Sequence, residues 1–500
     1  MHCRFSLPGV LVAAAVLLAL TASCGKTQMP VNNPAIINKA LYDTASCFYV
    51  DFDAYPEEMR NLPIGIFDSG TGGLTVLEKL LSLDHFDNIT GKAGRDSILD
   101  FAGEHFVYLA DQANMPYGNY AAEGNTAYLQ ELVIKDAIFL LGDRYFANGI
   151  EEEPSGRKPR AKIIVVACNT ATAYGLPLIQ SLLDQSGTGV KVIGVIDAGV
   201  NATLDELNLQ GDEAPFAIGV LATPGTIASG VYERTIRDAL KARGITTRID
   251  IVSEGGDGFA EAVDSDPDYV NPNLFAPSSS YRGPVLGDGE NDIHPELLKA
   301  YHFDFSDNQI LARRNPGGSY ATLQLNSAAN YARFNIVSLL ERHRRSEKGT
   351  PIRSIILGCT HYPFQLETLK DMLAYLREYR EDGRYPYRDL IADTVTFIDP
   401  AIYTAIDCYQ TLREDGNLAY RITPTLAEAY ISIPSNLLED DFLTRDGHLT
   451  YQYKYARKPG TEEQTTKPVP FSHDNIDPNN LQRIEELLPY SYALIAPTLK

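Results

Sequence analysis

The chain has 500 residues, 44% of them hydrophobic and 22% charged, values of a globular rather than a disordered protein. Its 43 Lys and Arg against 65 Asp and Glu give a net charge of −22. That balance argues against a nucleic-acid-binding face and against electrostatic docking on anionic lipid. The 6 cysteines are too sparse for a disulfide scaffold and contain no CxxC pair or other zinc spacing, so no metal site is expected.

In chain order, Arg4 precedes an apolar run from Val10 to Leu20. The run is too short to cross a bilayer and has the form of a secretory signal. It ends in Leu20-Thr21-Ala22-Ser23-Cys24, which resembles a bacterial lipobox. The expectation is a signal peptide over residues 1–23 and a lipid on Cys24, anchoring the protein on the periplasmic or cell-surface side. Plain secretion and a buried N-terminal helix are the alternatives. No later apolar segment is long enough to span a membrane. In an oxidising compartment, Cys47 and Cys408 are either a disulfide or two unrelated buried thiols.

Residues 25–61, with Pro30, Pro34 and Pro56, read as a tether followed by a short packed segment. From Ile64 short apolar runs alternate with amphipathic patterns. Strands are expected at Ile64–Phe67, Phe106–Ala110, Lys162–Ala167, Lys191–Ile196, Phe216–Leu221, Arg248–Val252, Ser354–Leu357 and Thr394–Ile398. Continuous apolar runs of this length fit strands buried on both faces. Between them, Leu74, Leu77, Leu80 and Leu81 share a helix face, as do Leu129, Leu132, Val133 and Leu140, and Leu366, Leu369, Met372 and Leu376. The alternation predicts an α/β fold with parallel sheets. Residues 256–350, rich in Gly, Pro, Asn and Ser, read as an irregular insertion. The tail carries one alternating run, Leu449–Tyr455, and a short helical pattern at Ile484–Leu488.

An internal echo points to chemistry. Lys162–Ala167 runs into Cys168-Asn169-Thr170, and Arg353–Gly358 runs into Cys359-Thr360-His361. Each is a buried strand that delivers a cysteine at its carboxyl end, where open α/β sheets bind ligands. The pair suggests two similar half-molecules facing each other across a cleft. A thiol at a helix N-terminus is expected to ionise below its usual pKa of about 8.5. Two thiols on opposite walls can act as base on one face of a carbon and acid on the other, inverting a stereocentre without a cofactor. The loop Asp68-Ser69-Gly70-Thr71-Gly72-Gly73 lacks both the Lys of a phosphate loop and the spacing of a dinucleotide loop. Its amides suit a carboxylate, although a phosphate is not ruled out by the residues alone. His361 reads either as a neighbour that tunes Cys359 or as a core histidine.

Ile64-Gly65-Ile66-Phe67-Asp68-Ser69-Gly70-Thr71-Gly72-Gly73-Leu74, Met115-Pro116-Tyr117-Gly118, Val166-Ala167-Cys168-Asn169-Thr170-Ala171 and Ile356-Leu357-Gly358-Cys359-Thr360-His361-Tyr362-Pro363 together resemble the motifs of glutamate racemases. Val192–Ile196 and the Thr-rich Ile218–Ser229 fit the same order. The resemblance implies two similar doubly wound α/β domains with the site between them, and racemisation with no cofactor. It implies Cys168 and Cys359 as the acid/base pair, the first acting on the D-isomer and the second on the L-isomer. It implies Asp68 and His361 as their assistants. Ser69, Tyr117, Gly118, Asn169, Thr170, Thr223 and Thr360, with Asp68 and His361, would hold the amino acid. The acidic residue the family carries after the strand ending near Ser253 is not assigned within Glu254–Glu261.

The resulting division is a tether and N-terminal segment at 24–61, one domain at 62–190 completed by 364–430, a second at 191–363 with the insertion, and an extension at 431–500. Expected partners are a small amino acid and, through the lipid, a membrane, with a homodimer left open. Two other readings remain: an amino-acid-binding lipoprotein without activity, and a racemase acting on aspartate or another amino acid. Two retained thiols weigh against the first, and His361-Tyr362-Pro363 favours glutamate over aspartate.

Overall fold

A computed structural model describes residues 34–209, 214–420, 424–460 and 465–499. Cys24 and the apolar run before it lie outside them. Apart from a short pair at Arg144–Tyr145 and Gly156–Arg157, the strands in chain order are β1 (Ile64–Asp68), β2 (His105–Ala110), β3 (Ile163–Val166), β4 (Lys191–Gly194), β5 (Phe216–Ala222) and β6 (Ile249–Gly255). A hairpin of β7 (Ile310–Arg314) and β8 (Tyr320–Leu325) follows, then β9 (Ile352–Gly358), β10 (Ile391–Ile398), β11 (Leu426–Pro434) and β12 (Thr466–Pro470).

One sheet has the order β12-β11-β2-β1-β3-β4 and the other β10-β9-β5-β6. All neighbours are parallel except β11 and β12. Taken by rank along the chain, β2-β1-β3-β4 and β6-β5-β9-β10 have the same order, 2-1-3-4, so the echo of the two cysteine motifs is an echo of topology. The central strands β1, β3 and β5 are buried along their whole length, as their apolar runs require. Helices Leu74–Ser82, Thr126–Leu141 and Leu366–Glu378 bury the leucine faces predicted for them, apart from the half-buried Leu366.

The sheets redraw the expected boundaries. Lys191–Gly194 pairs with β3 and completes the first sheet, and the chain turns into the helix Val195–Leu207 where the strand was expected to continue. Ile391–Ile398 pairs with β9 in the second sheet instead of completing the first. Strands β11 and β12, assigned to an extension, widen the first sheet beyond β2. The stretch 256–350 is not wholly an insertion. Its helix Ala328–Arg345 buries Tyr331, Phe334, Val337 and Leu340 in the second core and is the crossover between β6 and β9. The alternating run Leu449–Tyr455 is helical over Tyr451–Ala456. Thr450 caps it by accepting from the Tyr453 amide, and Tyr451 and Tyr455, one turn apart, stack edge to face. Cys47 is exposed and Cys408 lies in the core, and no disulfide joins them.

The end of the first sheet opposite the cysteines is closed by a buried ion pair. Lys162, just before β3, donates to Glu104 Oε2 at 2.6 Å, to Arg60 O at 3.0 Å and to Asn417 O at 2.9 Å. Glu104 Oε1 accepts from the Ala419 amide at 2.7 Å. Burial pushes the Glu104 carboxyl up and the Lys162 amine down, so neither charge is comfortable without the other. Lys162→Met, which strands Glu104, is expected to cost about 3–5 kcal/mol. The double change Lys162→Met with Glu104→Gln is expected to cost less than the single, read from thermal unfolding of the variants side by side.

Candidate active site

In a 2-1-3-4 sheet the crevice opens at the carboxyl ends of strands 1 and 3, where the order reverses. Those strands are β1 and β3 in one sheet and β5 and β9 in the other. Asp68 ends β1, Cys168 follows β3, Thr223 follows β5 and Cys359 follows β9. Every residue that the sequence assigns to catalysis or substrate binding lines one nearly closed cavity of about 20 Å³, together with Met115, Pro116 and Ala260. A larger cavity bounded by Cys47, Arg144 and Arg157 contains none of these residues. Among the described residues, no group of three or more His, Cys, Asp or Glu side chains is arranged to hold a metal.

The Gly-rich loop is shaped by what presses on it. A Cβ at Gly72 would sit 2.6 Å from the His361 ring, and one at Gly73 would sit 2.4 Å from the Asp68 Cβ. Only glycine lets the loop close on both side chains. The Gly73 amide then donates to Asp68 Oδ2 at 2.7 Å. Across the cleft, Thr360 donates to the same oxygen at 3.4 Å. A second bridge joins Thr170 to Thr223 at 2.9 Å and to Thr226 at 3.0 Å.

Cys168 caps the helix Asn169–Ser186, accepting from the Ala171 amide at 3.4 Å and donating to Ser69 Oγ at 3.7 Å. The expectation of an easily ionised thiol is overturned here. Burial, seconded by the Asp68 carboxylate, pushes the Cys168 thiol well up, and the helix N-terminus offsets only part of that. Burial also pushes Asp68 up, against the pull of His361 and the Gly73 amide. Its Oδ1 is buried without a hydrogen-bond partner among the described residues.

Cys359 has a different neighbour. Its Sγ lies 3.5 Å from His361 Nδ1, and His361 Nε2 lies 3.3 Å from Asp264 Oδ1. Burial opposes the imidazolium, but the Asp264 carboxylate and the Cys359 sulfur together outweigh it and hold His361 well above the usual histidine range. Asp264 is held below the usual carboxylate range: burial raises it, and His361 and Arg483 together lower it further. Nearby Glu261 is pushed up to about 8 by burial, so at neutral pH it competes little for the histidine.

The remaining residues divide by what their polar atoms already do. Asn169 Oδ1 accepts from Tyr232 at 2.6 Å, which fixes the carboxamide. The Tyr117 hydroxyl lies 2.6 Å from both Asp111 Oδ2 and Asp136 Oδ2. One hydroxyl proton cannot serve two carboxylates, and burial followed by the Asp111 charge pushes Asp136 well up, so Asp136 carries the second proton. Tyr117 therefore reaches the cavity as a wall, with its hydroxyl committed elsewhere. The sequence reading missed Asp264. It searched Glu254–Glu261 for an acidic partner, and the carboxylate that meets His361 stands at the end of the helix Phe259–Val263, three residues further on.

No family model matches the chain. It is 30% identical to a glutamate racemase of Lactobacillus helveticus over 254 residues, covering 51% of this chain and 73% of that protein. With a glutamate racemase of Limosilactobacillus fermentum it shares 31% identity over 209 residues, 41% of this chain and about 60% of that protein's length. Among solved structures, glutamate racemase isoform RacE1 from Bacillus anthracis covers 74% of this chain and 88% of its own at 20% identity and a TM-score of 0.43. With its cysteine motifs in matching places at the ends of two repeated sheets, and the Lactobacillus relative covered over most of its length, the chain belongs to the glutamate racemase family.

Proposed function

We propose that the protein interconverts L- and D-glutamate by a two-base reaction between Cys168 and Cys359, with no cofactor. The observation that carries this reading is the placement of both thiols, from equivalent strands of two repeated sheets, on one cavity. One thiolate takes the α-proton, leaving the electron pair on the α-carbon, and the opposite thiol delivers its own proton to the other face. The two cysteines end with exchanged roles. Cys168 is the neutral thiol, because burial and Asp68 oppose its ionisation. The unpartnered Asp68 Oδ1 is a ready acceptor for the substrate ammonium. That ammonium would neutralise the charge opposing the Cys168 thiolate, so binding itself would prepare the base. On the other wall, His361, kept protonated by Asp264, stands ready to exchange a proton with Cys359.

Chiral chromatography of the purified protein with L- or D-glutamate and no added cofactor is expected to show conversion toward equal amounts. Aspartate should react more slowly, and faster turnover of aspartate would move the substrate. Cys168→Ser and Cys359→Ser are each expected to slow racemisation at least about a hundredfold with thermal unfolding unchanged, since a hydroxyl is a far weaker acid than a thiol. Near-normal turnover by either variant would remove that residue from the reaction.

The exported, lipid-anchored form is part of the same proposal and is supported by the short apolar run and the small residues before Cys24. No helix among the described residues is long and apolar enough to cross a membrane. A multiply acylated Cys24 would anchor stably, where one chain would not. Cys24→Ala is expected to abolish fatty-acid labelling and move the protein to a soluble fraction or leave it as precursor. Labelling that persists in the variant would show that the lipid sits elsewhere.

A further inference from the structure

Arg483 stands far down the chain, on the helix Pro478–Leu487 beyond the last strand, yet it touches the segments on both sides of His361. Its Nη2 donates to Asp264 Oδ1 at 2.7 Å, and its Nη1 donates to the Val263 carbonyl. Its guanidinium lies 4.8 Å from the centroid of the Phe364 ring, three residues after His361. Asp264 Oδ1 thus accepts from Arg483 at 2.7 Å and faces His361 Nε2 at 3.3 Å, an ion-pair contact outside hydrogen-bond geometry. The other oxygen, Oδ2, is buried with no hydrogen-bond partner among the described residues. The guanidinium therefore supplies a hydrogen bond that orients this carboxylate beside the histidine. The pair is itself buried, with the Asp264 side chain 4% and the Arg483 side chain 15% exposed, so water screens it weakly.

We propose that Arg483 is a positioning residue that fixes the Asp264 carboxylate against His361 and so supports proton transfer at Cys359, on one face of the substrate only. The inference rests on the two-base reading above. The tail helix thereby becomes part of the machinery that sets one catalytic thiol, while Cys168, whose nearest polar neighbours are Asp68, Ser69 and Ala171, is touched only at second hand, through the pull of His361 on Asp68. The helix holds its place by other means. Ile484 and Leu488 are buried, and Asp477 caps it by accepting from the Asn479 and Asn480 amides. Arg483→Met is therefore a fair test of the side chain rather than of the helix.

Racemisation in the two directions is tied by an equilibrium constant of one, so a single-face probe is needed. The 3-chloroglutamates supply it. A thiolate removes the α-proton, chloride leaves the β-carbon, and the enamine tautomerises to an imine. Water then hydrolyses the imine to 2-oxoglutarate and ammonium. Only the thiol facing the α-proton takes part, so with the assignment that the family resemblance implies, the L-configured probe reports Cys359 and the D-configured probe Cys168. For Arg483→Met, elimination from the L-configured probe is expected to fall about tenfold, as for loss of a charged hydrogen bond. The D-configured probe should change less than about twofold. Arg483→Lys should recover part of the loss. The ratio of the two rates is measured on one preparation, so partial unfolding cancels. An unchanged ratio would overturn the proposal. If the unaltered protein also fails to racemise glutamate, the two-base reading falls, and this inference with it.

Discussion

Asp68 is the point at which the two sheets are joined at the cavity. Its Oδ2 takes one hydrogen bond from its own loop, at Gly73, and one from Thr360 on the opposite wall. The proposed two-base reaction on one carbon needs two acids on separate supports, held at a constant separation. The repeated 2-1-3-4 order supplies the supports, since each sheet presents its cysteine from the same strand position. The Asp68–Thr360 contact and the Thr170–Thr223 contact then hold the walls together. The glycines of the loop after β1 follow from this, because any side chain at Gly72 or Gly73 would push apart what the two bonds draw together.

The two walls are alike in backbone and unlike in charge. Cys168 lies beside a carboxylate whose proton affinity burial has raised. Cys359 lies beside a histidine kept charged by a second carboxylate. The proposed substrate carries an ammonium and two carboxylates, and only its ammonium complements the Asp68 side. Topology gives the two thiols equivalent positions, and their neighbours make the two surroundings unlike.

What was legible in the sequence follows from how local each signal is. A strand buried on both faces shows as an unbroken apolar run, so the strands leading into Asp68, Cys168, Thr223 and Cys359 could be placed, and with them the residues that line the cavity. Sheet membership could not, because pairing is a contact between distant segments: Lys191–Gly194 and Ile391–Ile398 were each assigned to the wrong sheet. The run Leu449–Tyr455 alternates as a strand would, but its tyrosines at 451 and 455 also share a helix face, and the Thr450 cap decided for the helix. The ionisation of Cys168 was misread because the helix N-terminus is local and visible, while burial and the Asp68 charge depend on the assembled site. Arg483 carries no local signal at all, since its meaning depends on Asp264 more than two hundred residues away.

The most direct test of the two-base account is the fate of the α-hydrogen during early turnover in heavy water. With L-glutamate as substrate, the account predicts that D-glutamate carries deuterium at the α-carbon from the first molecules formed, while recovered L-glutamate remains protiated. The acid on the far face has exchanged with solvent, and the proton taken on the near face does not return to the product. Deuterium entering recovered L-glutamate as fast as it enters the product, or substrate-derived hydrogen retained in D-glutamate, would mean that one base serves both faces and would contradict the account.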